Sequence, residues 1–261
     1  MTRPTPPPPF PAPRRGFPGP TDGFAVVIPV YNHGATVAKV AGRAAQYGFP
    51  VIVVDDGSTD GGGDNLETIP NVRVMRHPRN FGKGAALHTG MLEAAQFARW
   101  AICMDADGQH HPGDMLQLVS AIPTGSRPIV IGRRQAMETA PWTSRFGRKF
   151  SNFWVWVASG MTLSDSQSGF RIYPLPEVFD LDVRAGRYQF EIEVLAKAAW
   201  QGIPVMEAPV SVSYAPGGRR ISHFSPWMDF LRNSHTFGRL IVRRVFTPRL
   251  WKAGKAGSHS R

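Results

Sequence analysis

The chain has 261 residues, 42% apolar and 19% charged, enough for one sizeable core and too apolar for a wholly disordered protein. Lys and Arg number 30 against 19 Asp and Glu, and the formal charge of +11 implies an anionic partner: nucleic acid, a nucleotide substrate or an anionic membrane surface. The single cysteine, Cys103, excludes an intrachain disulfide framework, and no apolar run reaches the ~18 residues of a spanning helix. With no apolar signal core at the N-terminus, the expectation is a cytoplasmic protein that is neither secreted nor membrane-spanning.

Residues 1–23 are dense in proline, whose fixed ring angle and missing donor rule out helix and sheet, so a disordered or polyproline-like leader is expected. The texture changes at Phe24. FAVVIPV, Phe24 to Val30, is a continuous β-branched run of the kind that forms a strand buried on both faces. Gly34 to Tyr47 shows helical spacing, and Pro50 to Val54 is a second buried strand closed by Asp55-Asp56-Gly57-Ser58. Val72 to Met75 reads as a third strand, Gly84 to Arg99 as an amphipathic helix, and Trp100 to Met104 as a fourth strand with Cys103 in a core position. Pro128 to Gly132 is a fifth strand, ending in Arg133-Arg134. From Trp142 to Met161, Arg145, Arg148 and Lys149 alternate with Phe146, Phe150, Phe153, Trp154 and Trp156, which suits a helix with basic and aromatic sides. Gly169 to Tyr173 resembles a short strand, Phe190 to Trp200 a helix, and Pro204 to Tyr214 another strand. The alternation predicts an α/β fold, a mostly parallel sheet with helices on both faces. Ligands of such sheets sit beyond the carboxyl ends of the strands, where Tyr31, Asp56 and Asp105 fall.

MDADGQH, Met104 to His110, follows the fourth strand. In an extended chain Asp105, Asp107 and Gln109 share a face, so two carboxylates and an amide oxygen converge. Such hard ligands suit Mg2+ or Mn2+, and the cation suits a phosphate-rich ligand; the plain alternative is a solvated turn before a helix starting near Pro112. Asp55-Asp56 either bonds a base or ribose or simply makes a turn, and Tyr31 either stacks on a base or packs. Asn80 to Gly84 opens a helix with a glycine-flanked lysine, which meets phosphate or marks only a helix start; the spacing is not that of a P-loop ATPase. His110 and His111 read as peripheral, since adjacent side chains rarely face one ion. Arg133, Arg134, Arg145 and Arg148 as a group favour a phosphate or phospholipid contact.

VIPVYN, VVDDGSTD, NFGKGAAL, MDADGQH and SQSGFRIY, in this order, resemble family 2 glycosyltransferases of the dolichyl-phosphate mannosyltransferase type, over about Phe24 to Tyr214. The resemblance implies a GT-A fold, a nucleotide-sugar donor such as GDP-mannose or a UDP-hexose, Mg2+ or Mn2+, and inversion at the sugar carbon. It implies a nucleoside held by Pro29, Tyr31, Val54 and Asp56, and a diphosphate and metal site of Asp105, Ala106, Asp107 and Gln109. Arg134 would contact phosphate, with Arg220 also on the donor and Arg133, Arg145, Arg171, Arg219 and His223 toward the acceptor or its phosphate. The chain departs from the family pattern at His33, where Glu is usual after Tyr-Asn. It departs again at Arg219-Arg220-Ile221-Ser222-His223, where a titrating His replaces a permanent Lys.

Residues 24–216 are therefore expected to form the catalytic domain, 217–252 a basic amphipathic segment for membrane or acceptor contact, and 253–261 a disordered tail. The leading expectation is a hexosyltransferase acting on a polyprenyl phosphate or similar lipid, peripheral on the inner face of the cell membrane. If the acceptor were instead a hydroxylated lipid or pigment, a carboxylate must take its proton, and Asp165 and then Glu191 are the candidates. A nucleic-acid-binding protein explains the basic tail but not the acidic loop. A non-catalytic nucleotide-sugar sensor would bind donor without turnover.

Overall fold

The computed structural model describes residues 23–64, 66–135, 142–183, 185–186 and 189–213, without the side chains of 142–146. Almost all of the leader and the segments expected over 217–252 and 253–261 lie outside the described residues. In chain order the elements are β1 (Phe24–Val30), α1 (Gly34–Ala45), β2 (Val51–Asp55), β3 (Val72–Arg76), α2 (Lys83–Ala94), β4 (Trp100–Cys103) and α3 (Met115–Ser120). They continue with β5 (Ile129–Arg134), α4 (Trp142–Ser159), β6 (Arg171–Pro174), α5 (Glu177–Asp180), α6 (Gln189–Gln201) and β7 (Val205–Val210).

The seven strands form one sheet in the order β3-β2-β1-β4-β6-β5-β7. All run parallel except β6, which is antiparallel to both β4 and β5. The α/β expectation is met. Successive strand residues point to opposite faces, and both faces are dry. Val27, Val54 and Cys103 pack under α2, α4 and α6, while Val26, Ile28, Val53 and Ile102 pack under α1 and α3. Each such side chain, taken wholly out of water, contributes about 1.5–3 kcal/mol. Cys103 is buried, as its apolar flank predicts, and burial pushes its thiol pKa up.

Several boundaries differ from the sequence reading. The predicted helix to Arg99 ends at Ala94, because Arg99 and Trp100 donate their amides to the Gly23 carbonyl and pull the chain into β4 beside β1. Near Pro112 the backbone makes a 3-10 turn, Pro112–Asp114, capped by His111 Nδ1 accepting from the Gly113 amide, before α3 begins. The strand expected at 169–173 lies at Arg171–Pro174. Because β6 runs backwards, the loop before it opens on the same edge of the sheet as the loops that follow the parallel strands.

Candidate active site

Two loops meet at the ends of β1 and β2. Asn32, in the left-handed region at φ 53°, donates its amide to Ser58 Oγ at 3.0 Å and accepts from the Thr59 amide at 2.8 Å. Asp60 accepts from the Gly34 amide at 2.8 Å, and that bond lowers its pKa. Asn32 thereby ties the loop that carries half-buried Tyr31 to the loop that follows Asp56. Pro29 and Val54 are partners in register inside the sheet, both buried.

Asp56 is turned inward. Its carboxylate accepts from the Phe81 amide at 2.9 Å and the Gly82 amide at 2.7 Å, with His77 Nδ1 at 2.7 Å, and its side chain is 3% exposed. His77 is fixed from its other side by Thr89 Oγ1 at 3.0 Å. The aspartate therefore takes the amides of the two residues just before α2 and places negative charge at the positive end of the helix.

That latch sets the first residue of α2, Lys83, at the centre of the site. Its Nζ lies 2.6 Å from Asp105 Oδ1 and 2.7 Å from Glu191 Oε1. Two glycines allow the approach. A Cβ on Gly84 would sit 2.7 Å from the Ala185 carbonyl and from Phe190 Cβ, so α2 and α6 could not meet there with a larger residue. A Cβ on Gly169 would sit 2.3 Å from Asp105 Oδ2 and 2.7 Å from Lys83 Nζ. Against the pull of burial, Asp105 and Glu191 hold the Lys83 ammonium above its ordinary pKa. Burial alone would raise Asp105, but the Lys83 ammonium outweighs it and holds the carboxyl below its ordinary value. Asp107 goes the other way, raised by burial and by the Asp105 charge beside it.

The acidic loop is not extended, as alternation required; it turns through residues 106–108, and Asp107 Oδ1 accepts from the Gln109 amide at 3.0 Å. The Ala106 carbonyl accepts from Thr36 Oγ1 at 2.6 Å, anchoring the turn to α1. His110 is buried against Phe170, with ring centroids 5.2 Å apart, and burial lowers its pKa. Among the described residues no three His, Cys, Asp or Glu side chains are grouped to hold a metal.

The arginines divide sharply. Arg134 forks onto Asp165 through Nε at 2.7 Å and Nη2 at 2.8 Å, and its amide donates to the same carboxylate at 3.2 Å. Asp165 is fully buried, and its loop is held by Glu207, which accepts from the Ser164 and Asp165 amides. Arg133 is exposed at the end of β5. Arg171 corrects the sequence reading: it is fully buried, donating to the carbonyls of Ser168, Glu191 and Ser166 at 2.7, 2.9 and 2.8 Å. Its guanidinium is engaged inside the fold and does not face an acceptor, and Asp165 pairs with Arg134, not with it. The Arg145 side chain and Arg219, Arg220 and His223 lie outside the described residues.

The sequence reading singled out Lys83 but left it out of the site, and it overlooked Gly169. The signal was present, since a glycine beside each of two chemistry-bearing stretches marks a close approach of backbone to a neighbour.

A mostly parallel seven-stranded sheet with helices on both faces, and an acidic loop beyond its carboxyl edge, is the GT-A fold. A family model described as Glycosyl transferase family 2 matches residues 25–174, and the chain belongs to that family. An uncharacterised protein of Methanocaldococcus jannaschii is 30% identical over 201 residues, covering 74% of this chain and 82% of the relative. A UDP-N-acetylglucosamine–dolichyl-phosphate N-acetylglucosaminyltransferase of Methanococcus voltae is 28% identical, covering 72% and 85%. A polyprenol monophosphomannose synthase of Mycolicibacterium smegmatis is 28% identical, covering 74% and 78%. Among solved structures, mannosyl-3-phosphoglycerate synthase from Rubrobacter xylanophilus shares the fold, with a TM-score of 0.51 at 15% identity over 85% of this chain and 73% of that one.

Proposed function

We propose that the chain moves a hexose from a nucleotide-diphosphate sugar to a polyprenyl phosphate or similar lipid phosphate, with inversion at the sugar carbon. The observation that carries the acceptor class is the state of two carboxylates. A hydroxyl acceptor needs a base to take its proton. Asp165 is fully buried in the fork of Arg134, and Glu191 is held by Lys83, so both candidates already serve a cation. A phosphate acceptor is an anion at neutral pH and needs no base. The names of the Methanococcus voltae and Mycolicibacterium smegmatis relatives, a dolichyl-phosphate transferase and a polyprenol monophosphomannose synthase, support the same class.

The neighbouring carboxylates of Asp105 and Asp107, with Gln109 next in the loop, would hold a Mg2+ or Mn2+ shared with the donor diphosphate. Mg2+ is commonly held by one or two carboxylates while substrate phosphates complete its shell, so a three-carboxylate cage is not required. Asp107, raised beside Asp105, is negative charge that a cation would relieve. When bound, the cation would stabilise the diphosphate leaving group. The residues of the chain do the rest. Lys83 steadies Asp105 and brings positive charge to the same point. Arg134, its guanidinium oriented by Asp165 before substrate arrives, would bring positive charge to the phosphates, while exposed Arg133, the residue before it in β5, points to the other face of the sheet. Tyr31 and the loop after Asp56 would hold the nucleoside.

The test is transfer of labelled sugar from GDP-mannose, UDP-N-acetylglucosamine and UDP-glucose, with Mg2+, to undecaprenyl phosphate and to undecaprenol. Product on the phosphate alone is expected. Transfer to the alcohol at an equal or greater rate would overturn the acceptor reading.

A further inference from the structure

We propose that Lys83 guards the cation site, holding Asp105 against a lone divalent cation and yielding it when a diphosphate brings negative charge of its own. This rests on the nucleotide-sugar reading and adds the condition under which that site fills. Lys83 is not free to stand elsewhere. Asp56 fixes the amides of Phe81 and Gly82, the two residues before it, and so sets where α2 begins. From the other side the backbone at Gly169 comes so close that a Cβ there would lie 2.7 Å from Lys83 Nζ and 2.3 Å from Asp105 Oδ2. Between the two, the ammonium is delivered to Asp105 Oδ1 at 2.6 Å, with Glu191 Oε1 at 2.7 Å as its second partner.

The three side chains are unequally covered. Glu191 is 9% exposed, Lys83 15% and Asp105 30%, so Asp105 is the member that an incoming ligand meets first. With Asp107 beside it the loop offers a cation two carboxylates, and Lys83 already neutralises one of them. A divalent cation drawn to that carboxylate comes up against the ammonium, inside the ~8 Å over which charges act in physiological salt. Like charges on one carboxylate repel. A diphosphate changes the balance, because its oxygens attract the cation and the ammonium together, and Mg2+ sites of one or two carboxylates are commonly completed by substrate phosphates. Glu191 keeps Lys83 held while Asp105 changes partner. Lys83 therefore opposes the cation alone and favours the diphosphate, so the two bind better together than apart. Such coupling is reciprocal, each ligand raising the affinity of the other by the same factor, typically about 5- to 150-fold.

The experiment measures two ligands separately on the full chain: Mn2+ alone, by loss of the paramagnetic resonance signal of the free ion, and GDP or UDP in chelator, by calorimetric titration. Without nucleotide, Lys83→Met should bind Mn2+ about ten- to a hundredfold more tightly than wild type, and in chelator it should bind the diphosphate about tenfold more weakly. Glu191→Gln leaves the ammonium to Asp105 alone and should bind Mn2+ more weakly than wild type. These opposite movements separate a guard from a brace, since a loosened fold would weaken both ligands in both variants. Mn2+ affinity in Lys83→Met at or below that of wild type would overturn the proposal. So would a diphosphate that binds Lys83→Met more tightly than wild type, or a Glu191→Gln variant that gains Mn2+ affinity as Lys83→Met does. If wild type binds neither GDP nor UDP while Lys83→Met still gains Mn2+ affinity, the guard over Asp105 stands and the nucleotide-sugar reading fails.

Discussion

Asp165→Asn separates a positioning carboxylate from a catalytic base. The substitution keeps the shape of the side chain and removes its charge. In the native protein the carboxylate takes two side-chain bonds from Arg134, at 2.7 and 2.8 Å, and one from its amide at 3.2 Å, with Asp165 wholly buried and the Arg134 side chain 12% exposed. Removing one partner of a buried ion pair costs about 3–5 kcal/mol. An asparagine oxygen still accepts from one arm of the fork, which brings the expected loss to about 2–3 kcal/mol. For a domain of this size that is a fall in Tm of about 4–12 °C by calorimetry. Turnover on a lipid phosphate should fall roughly a hundredfold, the effect of misplacing a substrate-facing group by about 1 Å. If Asp165 acts through Arg134, adding Asp165→Asn to Arg134→Ala should change turnover by less than about 0.5 kcal/mol beyond Arg134→Ala alone. Additive losses, or recovery of the Asp165→Asn rate with added formate or rising pH, would identify a base and refute the reasoning.

Gly169→Ala places a methyl group 2.3 Å from Asp105 Oδ2 and 2.7 Å from Lys83 Nζ, so one of them must move. Its transfer rate should drop about ten- to a hundredfold, and a variant with native rate and donor affinity would show that the pair is not part of the site. Lys83→Met should alter stability at acid pH. Asp105, held below its ordinary 3.8, contributes stability that is present above that value and lost as pH falls through the depressed one. Lys83, held above its ordinary 10.5, contributes stability that is present below that value and lost only as pH rises through the raised one. Wild type should therefore weaken on acidification below 3.8, while the variant, its Asp105 now raised by burial, gains stability as pH falls toward 3.8 and loses none from this group below it. Parallel denaturant midpoints for the two would contradict the pairing. Finally, Asp107→Ala should abolish the part of donor binding that requires Mn2+ in calorimetric titration; unchanged metal-dependent binding would remove Asp107 from the cation site.

The parallel half of the sheet was legible because its signals are local. β1 and β2 are uninterrupted apolar runs, and the acidic loop follows β4 directly. The antiparallel β6 was not, since four residues, Arg171–Pro174, carry no mark of direction; their orientation is set by pairing with β4 on one side and β5 on the other. The same limit misassigned an arginine. Arg171 is the nearest cation to Asp165 along the chain, but at the start of β6 its side chain enters the interior and meets carbonyls, while Arg134 reaches Asp165 from the neighbouring strand. Lys83 and Glu191 are 108 residues apart, and nothing periodic links them. Asp56 shows the converse case. The sequence allowed it to be either a ligand-facing acid or a structural turn, and its three internal partners make it a fastening for α2.

Lys83 fastens the acidic loop to α6, and that has a consequence for how the protein can change. The bonds at 2.6 and 2.7 Å that steady the fold run through the place where a donor would be handled. Stability and turnover therefore share one set of atoms, and a substitution selected for one is felt by the other. A variant selected for a new substrate would have to vary around this bridge and leave it intact. Durability is better sought away from the bridge, in the half-buried edge strand β3, short of His77, which holds Asp56.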